Sequence, residues 1–362
     1  MKLVSPRPIS PMPRPVTQPT PNLKPAEKLT IQDVADYAGV SKATVSRYLN
    51  RGGEQLSADV EARVAAAVRE LGYSPSPMAQ ALKRGKSRLI GLVVADVSNS
   101  FSVAVLRGVE KACRDAGYMV MLFNLGNDEQ LEREAIRSLS AYRVEGFILH
   151  TLGHDAGALA DAAQLGKPVV LVDRKVGDAE VDLVALDNLS AVHEAAGHLL
   201  EAGYRRLLFI SEPIKAISSR NERARAFQNF IAEHADSLDG SVFEARTGDD
   251  DALDEALRAL RKGAGKAPVA VLAANAVISL RVAAAAARLG WQLGTDLGLV
   301  GFDDPEWAAL VGPGLSTIAQ PTDDIGRVAT NCLIERLQGA QLAPRQVLLP
   351  GTLVRRGSSR RG

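Results

Sequence analysis

The sequence predicts a small all-helical head followed by a two-lobed α/β body built on doubly wound parallel sheets. Three observations predict it. Three short amphipathic stretches, the first two separated by a glycine, lie between residues 30 and 71. From Leu89 onward, apolar runs of strand length alternate with helical stretches. This alternating part is about 270 residues long, which is large for one sheet and suits two similar lobes.

The head begins after a tail, residues 1–28. Pro6, Pro8, Pro11, Pro13, Pro15, Pro19, Pro21 and Pro25 fall there with little apolar material between them, so that segment cannot bury a core. Thr30 and Asp33 have capping-box spacing, with Asp where Glu is usual. Ile31, Val34, Ala35 and Ala38 then mark one helix face, and Gly39 ends it. Ser41 suits the N-cap of a second helix, Lys42 to Leu49, closed by Asn50. A third helix is expected from about Ser57 to Leu71, with Val60, Val64, Ala67, Val68 and Leu71 on its apolar face and Gly72 after it. Together residues 29–74 read as a helix-turn-helix unit. Residues 75–87 read as a basic hinge or linker with one short helical turn, carrying Lys83, Arg84 and Lys86.

In the body, strands are expected at 89–94, 119–124, 146–150, 168–173, 183–187, 206–211, 269–275 and 298–304. Helices are expected at 102–117, 127–142, 188–203, 221–238 and 276–290. Ligands of such sheets bind beyond the carboxyl ends of the strands, where Asp96, His150, Asp173, Asn275 and Asp303 gather.

The run from Thr30 to Asn50, Thr-Ile-Gln-Asp-Val-Ala-Asp-Tyr-Ala-Gly-Val-Ser-Lys-Ala-Thr-Val-Ser-Arg-Tyr-Leu-Asn, closely resembles the DNA-binding head of the lactose-repressor (LacI) family. The resemblance continues through Leu71-Gly-Tyr-Ser-Pro75, Ala79-Gln-Ala-Leu82, Ile90-Gly-Leu-Val-Val94, Val172-Asp-Arg174, Asp187-Asn188, Gly301-Phe-Asp-Asp304, Ser316-Thr-Ile-Ala-Gln-Pro321 and Leu353-Val-Arg-Arg356. It spans residues 29 to about 359. It implies a periplasmic-binding-protein-like sensor at 88–362, with one lobe near 88–187 and 321–349 and the other near 188–320 and 350–359. It also implies a homodimer on a pseudo-palindromic double-stranded operator, with recognition helices in the major groove and hinge helices in the minor groove.

Carried across by position, Lys42 and Ala43 would face base edges, and Thr44, Ser46, Arg47 and Asn50 would hold bases or phosphates. Thr30, Ser41, Tyr73, Ala79 and Lys83 complete the expected DNA-binding set, and Leu82 matches the wedge leucine that kinks the duplex. The residue types suit this. Lys and Arg pair with guanine, and a small alanine accepts a thymine methyl. Lys42, Ala43, Ser46 and Arg47 lie on the helix face opposite Val45 and Leu49. Ser76-Pro77 departs from the family's hinge pattern and shifts where the hinge helix can start.

For the effector, the resemblance implies Phe101, His150, Asp173, Arg174, Arg223, Asn275, Asp303 and Gln320 between the lobes; Asn275-Ala276 departs from the family's Asn-Asp. Asp187, Asn188 and Asp304 are read as caps or surface groups. Arg174, Arg220 and Arg223 point to an anionic ligand. Thr151-Leu-Gly-His154, Val172-Asp-Arg174, Ser211-Glu-Pro213 and Ser218-Ser-Arg220 are most similar to repressors that respond to ketogluconate-type sugar acids. A regulator that responds to a neutral sugar, or that acts with a corepressor, is the alternative.

The remaining features argue against other classes. The net charge is +1, from 43 Lys and Arg against 42 Asp and Glu, so only a local patch can bind a polyanion. No nucleophile elbow or His-Glu-x-x-His zinc motif occurs, and no catalytic residue, metal site or cofactor is expected. Gly85-Lys86-Ser87 ends like a phosphate loop, but Gln80 stands where its first glycine belongs. His193 and His198 are five apart and share a helix face poorly as metal ligands. Cys113 and Cys332 read as reduced thiols. The absence of a signal core or a membrane-length apolar run points to the cytoplasm and no membrane partner. A secreted sugar carrier would need an export signal and no head. Only six residues follow Arg356, so a dimer without an appended tetramer helix is expected.

Overall fold

A computed structural model describes residues 29–51, 56–74, 86–128, 130–153, 156–214 and 217–360. The chain forms two compact units, one within the first 83 residues and one from residue 84 onward.

In the first unit, Thr30 caps α1 (Ile31–Ala38) with a complete capping box: Thr30 N donates to Asp33 Oδ2 at 2.6 Å, and Asp33 N donates to Thr30 Oγ1 at 3.4 Å. Gly39 takes φ 62°, the left-handed turn that lets its N–H cap the helix end on Ala35 and Asp36. Ser41 Oγ accepts from Thr44 N at 3.1 Å and starts α2 (Lys42–Arg51). Helix α3 (Ala58–Glu70) closes the unit. Val34, Ala35, Ala38, Val45, Val64 and Ala67 are buried together between the three helices.

The second unit runs β1 (Leu89–Val94), α4 (Ser100–Asp115), β2 (Met119–Asn124), α5 (Leu131–Ala141), β3 (Gly146–Leu149), α6 (Ala156–Gln164), β4 (Val169–Val172) and β5 (Asp182–Leu186). It continues with α7 (Asn188–Glu201), β6 (Arg206–Ser211), α8 (Ser218–Glu233), β7 (Asp239–Glu244), α9 (Asp250–Ala264), β8 (Val269–Ala273), α10 (Ala276–Arg288) and β9 (Gly298–Phe302). Then come β10 (Ser316–Ala319), α11 (Thr322–Leu337), β11 (Gln346–Leu349) and β12 (Thr352–Val354). One sheet has the order β11-β5-β4-β3-β1-β2 and is parallel throughout. The other has the order β12-β10-β9-β8-β6-β7, parallel except for the β10–β12 pair. The two lobes therefore repeat one strand order. The chain passes between them at Asp187, at Gln320–Pro321 and at Pro350–Gly351.

Several boundaries differ from the sequence-based expectation. The helix expected at 221–238 is α8, which starts at Ser218 and ends at Glu233; a turn in which Ser237 and Leu238 donate to His234 O then leads into β7. Asn275 and Asp303 lie just past β8 and β9 rather than inside them. Helices α6, α9 and α11 and strands β7, β10, β11 and β12 were not expected. The edge strands β7, β11 and β12 are half-solvated, without the unbroken apolar run of a central strand, and β10 is four residues long and begins Ser-Thr.

Two features lock the first lobe. Helices α4 and α11 cross through glycines: a Cβ on Gly326 would meet Val109 N at 2.7 Å, and one on Gly108 would meet Asp323 Cα at 2.9 Å. The second is Asp182, buried at the start of β5. It binds Arg336 at 2.9 and 3.1 Å, and Arg345 through its backbone N at 2.8 Å and Nη2 at 3.0 Å. Burial works against its charge, but the hydrogen bonds from Arg336 and Arg345 prevail and draw the carboxyl down to about 2.

Two stability outcomes follow. Gly326→Ala forces backbone apart at the helix crossing and should lower stability by about 3 kcal/mol in denaturant titration. Asp182 is depressed in the folded state, so its contribution is present above the unfolded value near 4 and lost as pH falls toward 2. Asp182→Asn should cost about 2.5 kcal/mol at pH 7, with variant and parent converging between pH 4 and 2.

Candidate functional site

The head presents one face of α2 to solvent. Lys42, Ala43 and Arg47 are exposed, Thr44 and Ser46 are half-buried, and Val45 faces the core. Helix α2 contains Lys42, Arg47 and Arg51 and no acidic residue. The hydroxyls of Thr30 and Ser41 cap helices, which still leaves each exposed residue at a helix N-terminus where a phosphate is favoured. Tyr73 packs partly into the head core. The side chain of Asn50, and the residues Pro77, Ala79, Leu82, Lys83 and His154, lie outside the described residues, as does the tail at 1–28.

In the body, Phe101, His150, Asp173, Arg174, Arg220, Arg223, Asn275, Asp303 and Gln320 all line one cleft. His150, Asp173, Arg174, Asn275, Asp303 and Gln320 follow the carboxyl ends of strands in both sheets, where doubly wound sheets bind ligands, while Phe101 is on α4 and Arg220 and Arg223 are on α8. Asp96 does not join them. It binds Ser98 N at 2.8 Å and Asn127 Nδ2 at 2.8 Å in the loop after β1.

The two central acids share a backbone feature. Asp173 and Asp303 have φ of 65° and 69°, unusual for residues other than glycine. Each follows the fourth strand of its lobe, and each donates its amide to the neighbouring strand, Asp173 N to Val184 O and Asp303 N to Ile318 O, both at 3.0 Å. Their charges differ. For Asp173, burial is outweighed by the His150 ring and by Arg174 and Arg223, so its carboxyl sits well below the usual range. For Asp303 burial wins over Arg223, Gln320 and the Ala276 amide, and its carboxyl is raised. Oδ2 of Asp173 lies 3.3 Å from Arg174 Nε and accepts from Ser219 Oγ at 3.2 Å. Asp303 accepts from Gln320 Nε2 at 2.6 Å and Ala276 N at 3.2 Å.

Arg223 is held from three sides. Its Nε donates to Asn188 Oδ1 at 2.7 Å, its Nη1 to Ala274 O at 2.6 Å, and its guanidinium lies over the Phe302 ring at 4.2 Å. Burial shifts its pKa down, yet an arginine in this setting stays charged. Arg220 pairs with Glu212 at 2.9 Å, and Glu212 also accepts from Asn275 Nδ2 at 2.6 Å. Arg174 Nη1 donates to Thr151 O at 2.9 Å. His150 is buried beside Phe101, ring centroids 5.2 Å apart, and burial lowers its pKa against the opposing pull of Asp173. Its Nδ1 lies 3.5 Å from Ser102 Oγ, and its Nε2 lies 3.4 Å from Asp173 Oδ2 without hydrogen-bond alignment.

Among the described residues, His150 Nε2, Arg174 Nε and Gln320 Oε1 are buried polar atoms without a hydrogen bond, and all three residues line the cleft. Buried polar groups are ordinarily satisfied, so their convergence marks a place for a polar guest.

Sequence reasoning passed over Asn99, Ser219 and Ala274, which also line the cleft. Ser219 stands one turn before Arg223 on α8, a signal available in the sequence, whereas Ala274 contributes a backbone carbonyl that no side chain announces. Asn188, read as a cap or surface group, is instead buried and braces Arg223. Asp187 caps α7 and Asp304 pairs with Arg356 at 2.6 Å.

The comparisons with known proteins agree with one another. Residues 30–76 match the model of bacterial regulatory proteins of the lacI family, and residues 196–359 match that of a periplasmic binding protein-like domain. The chain is 47% identical over 333 residues to the HTH-type transcriptional regulator PtxS of Pseudomonas plecoglossicida, covering 92% of this chain and 96% of that one. It is 40% identical to the HTH-type transcriptional regulator KdgR of Bacillus subtilis, over 91% and 97% of the two chains. The crystal structure of the Lac repressor dimer bound to operator and the anti-inducer ONPF superposes with a TM-score of 0.81 at 25% identity, over 92% of this chain and all of that one. A helix-turn-helix head joined to a two-lobed body, with relatives of this identity along nearly its whole length, places the chain in the LacI family of bacterial transcriptional regulators.

Proposed function

We propose that this regulator binds a DNA operator as a homodimer through α2, and that a small sugar acid of the ketogluconate type, held in the cleft, controls that binding. The observation that carries the reading is the cleft. Three guanidinium groups and two carboxyls line one cleft, beside buried polar atoms that make no hydrogen bond. A sugar acid answers each feature. Its carboxylate suits a guanidinium, its hydroxyls suit Asp173 and Asp303, and the apolar face of its carbon chain suits Phe101. A neutral sugar is the second reading, favoured by the Arg220–Glu212 pair, which cancels one positive charge.

The control is one of populations. A ligand shifts the lobe equilibrium only by its differential affinity, and a hundredfold preference corresponds to about 2.7 kcal/mol. The reading assigns the minor-groove contact to Leu82 and places the protein's work in binding rather than catalysis, in the cytoplasm where the chromosome lies. The test is selection of operator DNA from a random duplex pool, followed by titration of the complex with 2-ketogluconate, gluconate and neutral hexoses. No duplex preference at moderate salt under any of these conditions removes the reading. Release by a neutral hexose alone selects the second.

Two variants sharpen it. Arg47→Ala should weaken operator binding about tenfold to a hundredfold in fluorescence anisotropy while sparing effector affinity. Arg223→Lys loses the fork geometry and should raise the effector Kd at least about thirtyfold by calorimetry, with operator affinity unchanged.

A further inference from the structure

The contacts that hold Arg223 do not stop at the cleft wall. Asn188 Oδ1 accepts from Arg223 Nε at 2.7 Å, and Asn188 Nδ2 donates to Glu222 Oε2 at 2.8 Å. The amide has one orientation here, because a guanidinium only donates and a carboxylate only accepts. The other oxygen of Glu222, Oε1, lies 3.4 Å from Lys175 Nζ. Glu222 is on α8 in the second lobe, and Lys175 follows Asp173 and Arg174 in the loop after β4 in the first lobe. The amide of Lys175 also donates to Ser218 Oγ, at the start of α8, at 2.8 Å.

Lys175, Ser218 and Glu222 are not among the residues that line the cleft. They join the lobes from outside it, parallel to the internal Ser219–Asp173 hydrogen bond. The Lys175–Glu222 pair leaves its side chains 43% and 39% exposed, so it is a weak tie that biases closure without locking it.

We infer that Glu222 is a positioning residue that couples closure of the lobes, through Lys175, to the orientation of Arg223, through Asn188. The inference rests on the effector reading of the cleft. When the lobes part, Glu222 loses Lys175 and the brace on Arg223 slackens. When they close, the brace tightens. A ligand that engages Arg223 therefore favours closure, and closure favours the ligand to the same degree.

The test uses the full chain with Glu222→Gln, Lys175→Met and the double variant. Calorimetry with 2-ketogluconate as the probe should show each single change raising Kd about threefold to fivefold, and the double change raising it no further. Without any ligand, hydrogen exchange at the Lys175 amide should quicken in Glu222→Gln, because that N–H reports the lobe contact directly. An unchanged Lys175 exchange rate, or single effects that multiply in the double variant, overturns the inference. If the parent chain binds no sugar acid, the effector reading falls by itself, and the exchange rate at Lys175 still decides whether Glu222 ties the lobes.

Discussion

The structure depends on keeping charge in a dry place. Arg223 is buried between two acids that sit at matching positions of two lobes, and it can stay there only while its donors and its charge are answered. The Asn188 amide, the Ala274 carbonyl and the Phe302 ring answer part of this. The same cleft holds three buried polar atoms that make no hydrogen bond, His150 Nε2, Arg174 Nε and Gln320 Oε1. Under the proposed function, a bound ligand would complete this network.

The two lobes supply this arrangement by repetition. The strand orders β2-β1-β3-β4-β5 and β7-β6-β8-β9-β10 are the same. Asp173 and Asp303 occupy corresponding positions, each the first residue past the fourth strand of its lobe. Identical acids in identical backbone turns nevertheless carry different proton affinities, one lowered and one raised. The difference comes from neighbours. Asp173 has His150, Arg174 and Arg223 around it, whereas Asp303 has Gln320 and an amide in addition to Arg223. A duplicated scaffold has thus yielded two chemically distinct half-sites.

Much of this was legible in the residues. The head could be read helix by helix, because caps, glycine stops and apolar spacing agree there. Eight strands, the edge strand β2 among them, were legible as apolar runs. The edges β7, β11 and β12 and the short central strand β10, Ser-Thr-Ile-Ala, were not. Strand β7 reads Asp-Gly-Ser-Val-Phe-Glu, half polar because one side of it meets water, and nothing local separates it from a loop. The cleft residues were legible through the resemblance rather than through spacing, since they come from seven separate chain segments. The bracing residues were harder still: Asn188 looks like any helix start until Arg223, 35 residues later, is folded against it.

The edge strands β11 and β12 come from residues 346–354, yet each completes a sheet begun much earlier. Arg345 closes on Asp182 across 163 residues of chain. During synthesis the helical head can fold as soon as it emerges, whereas the lobes lack their full set of strands until residues 346–354 have been made. A product that stopped short of β11 would retain an intact reading head and lack a finished sensor. Such a fragment would be deaf to any metabolite, so the late-arriving strands make completion of the message a condition for obedience to the signal.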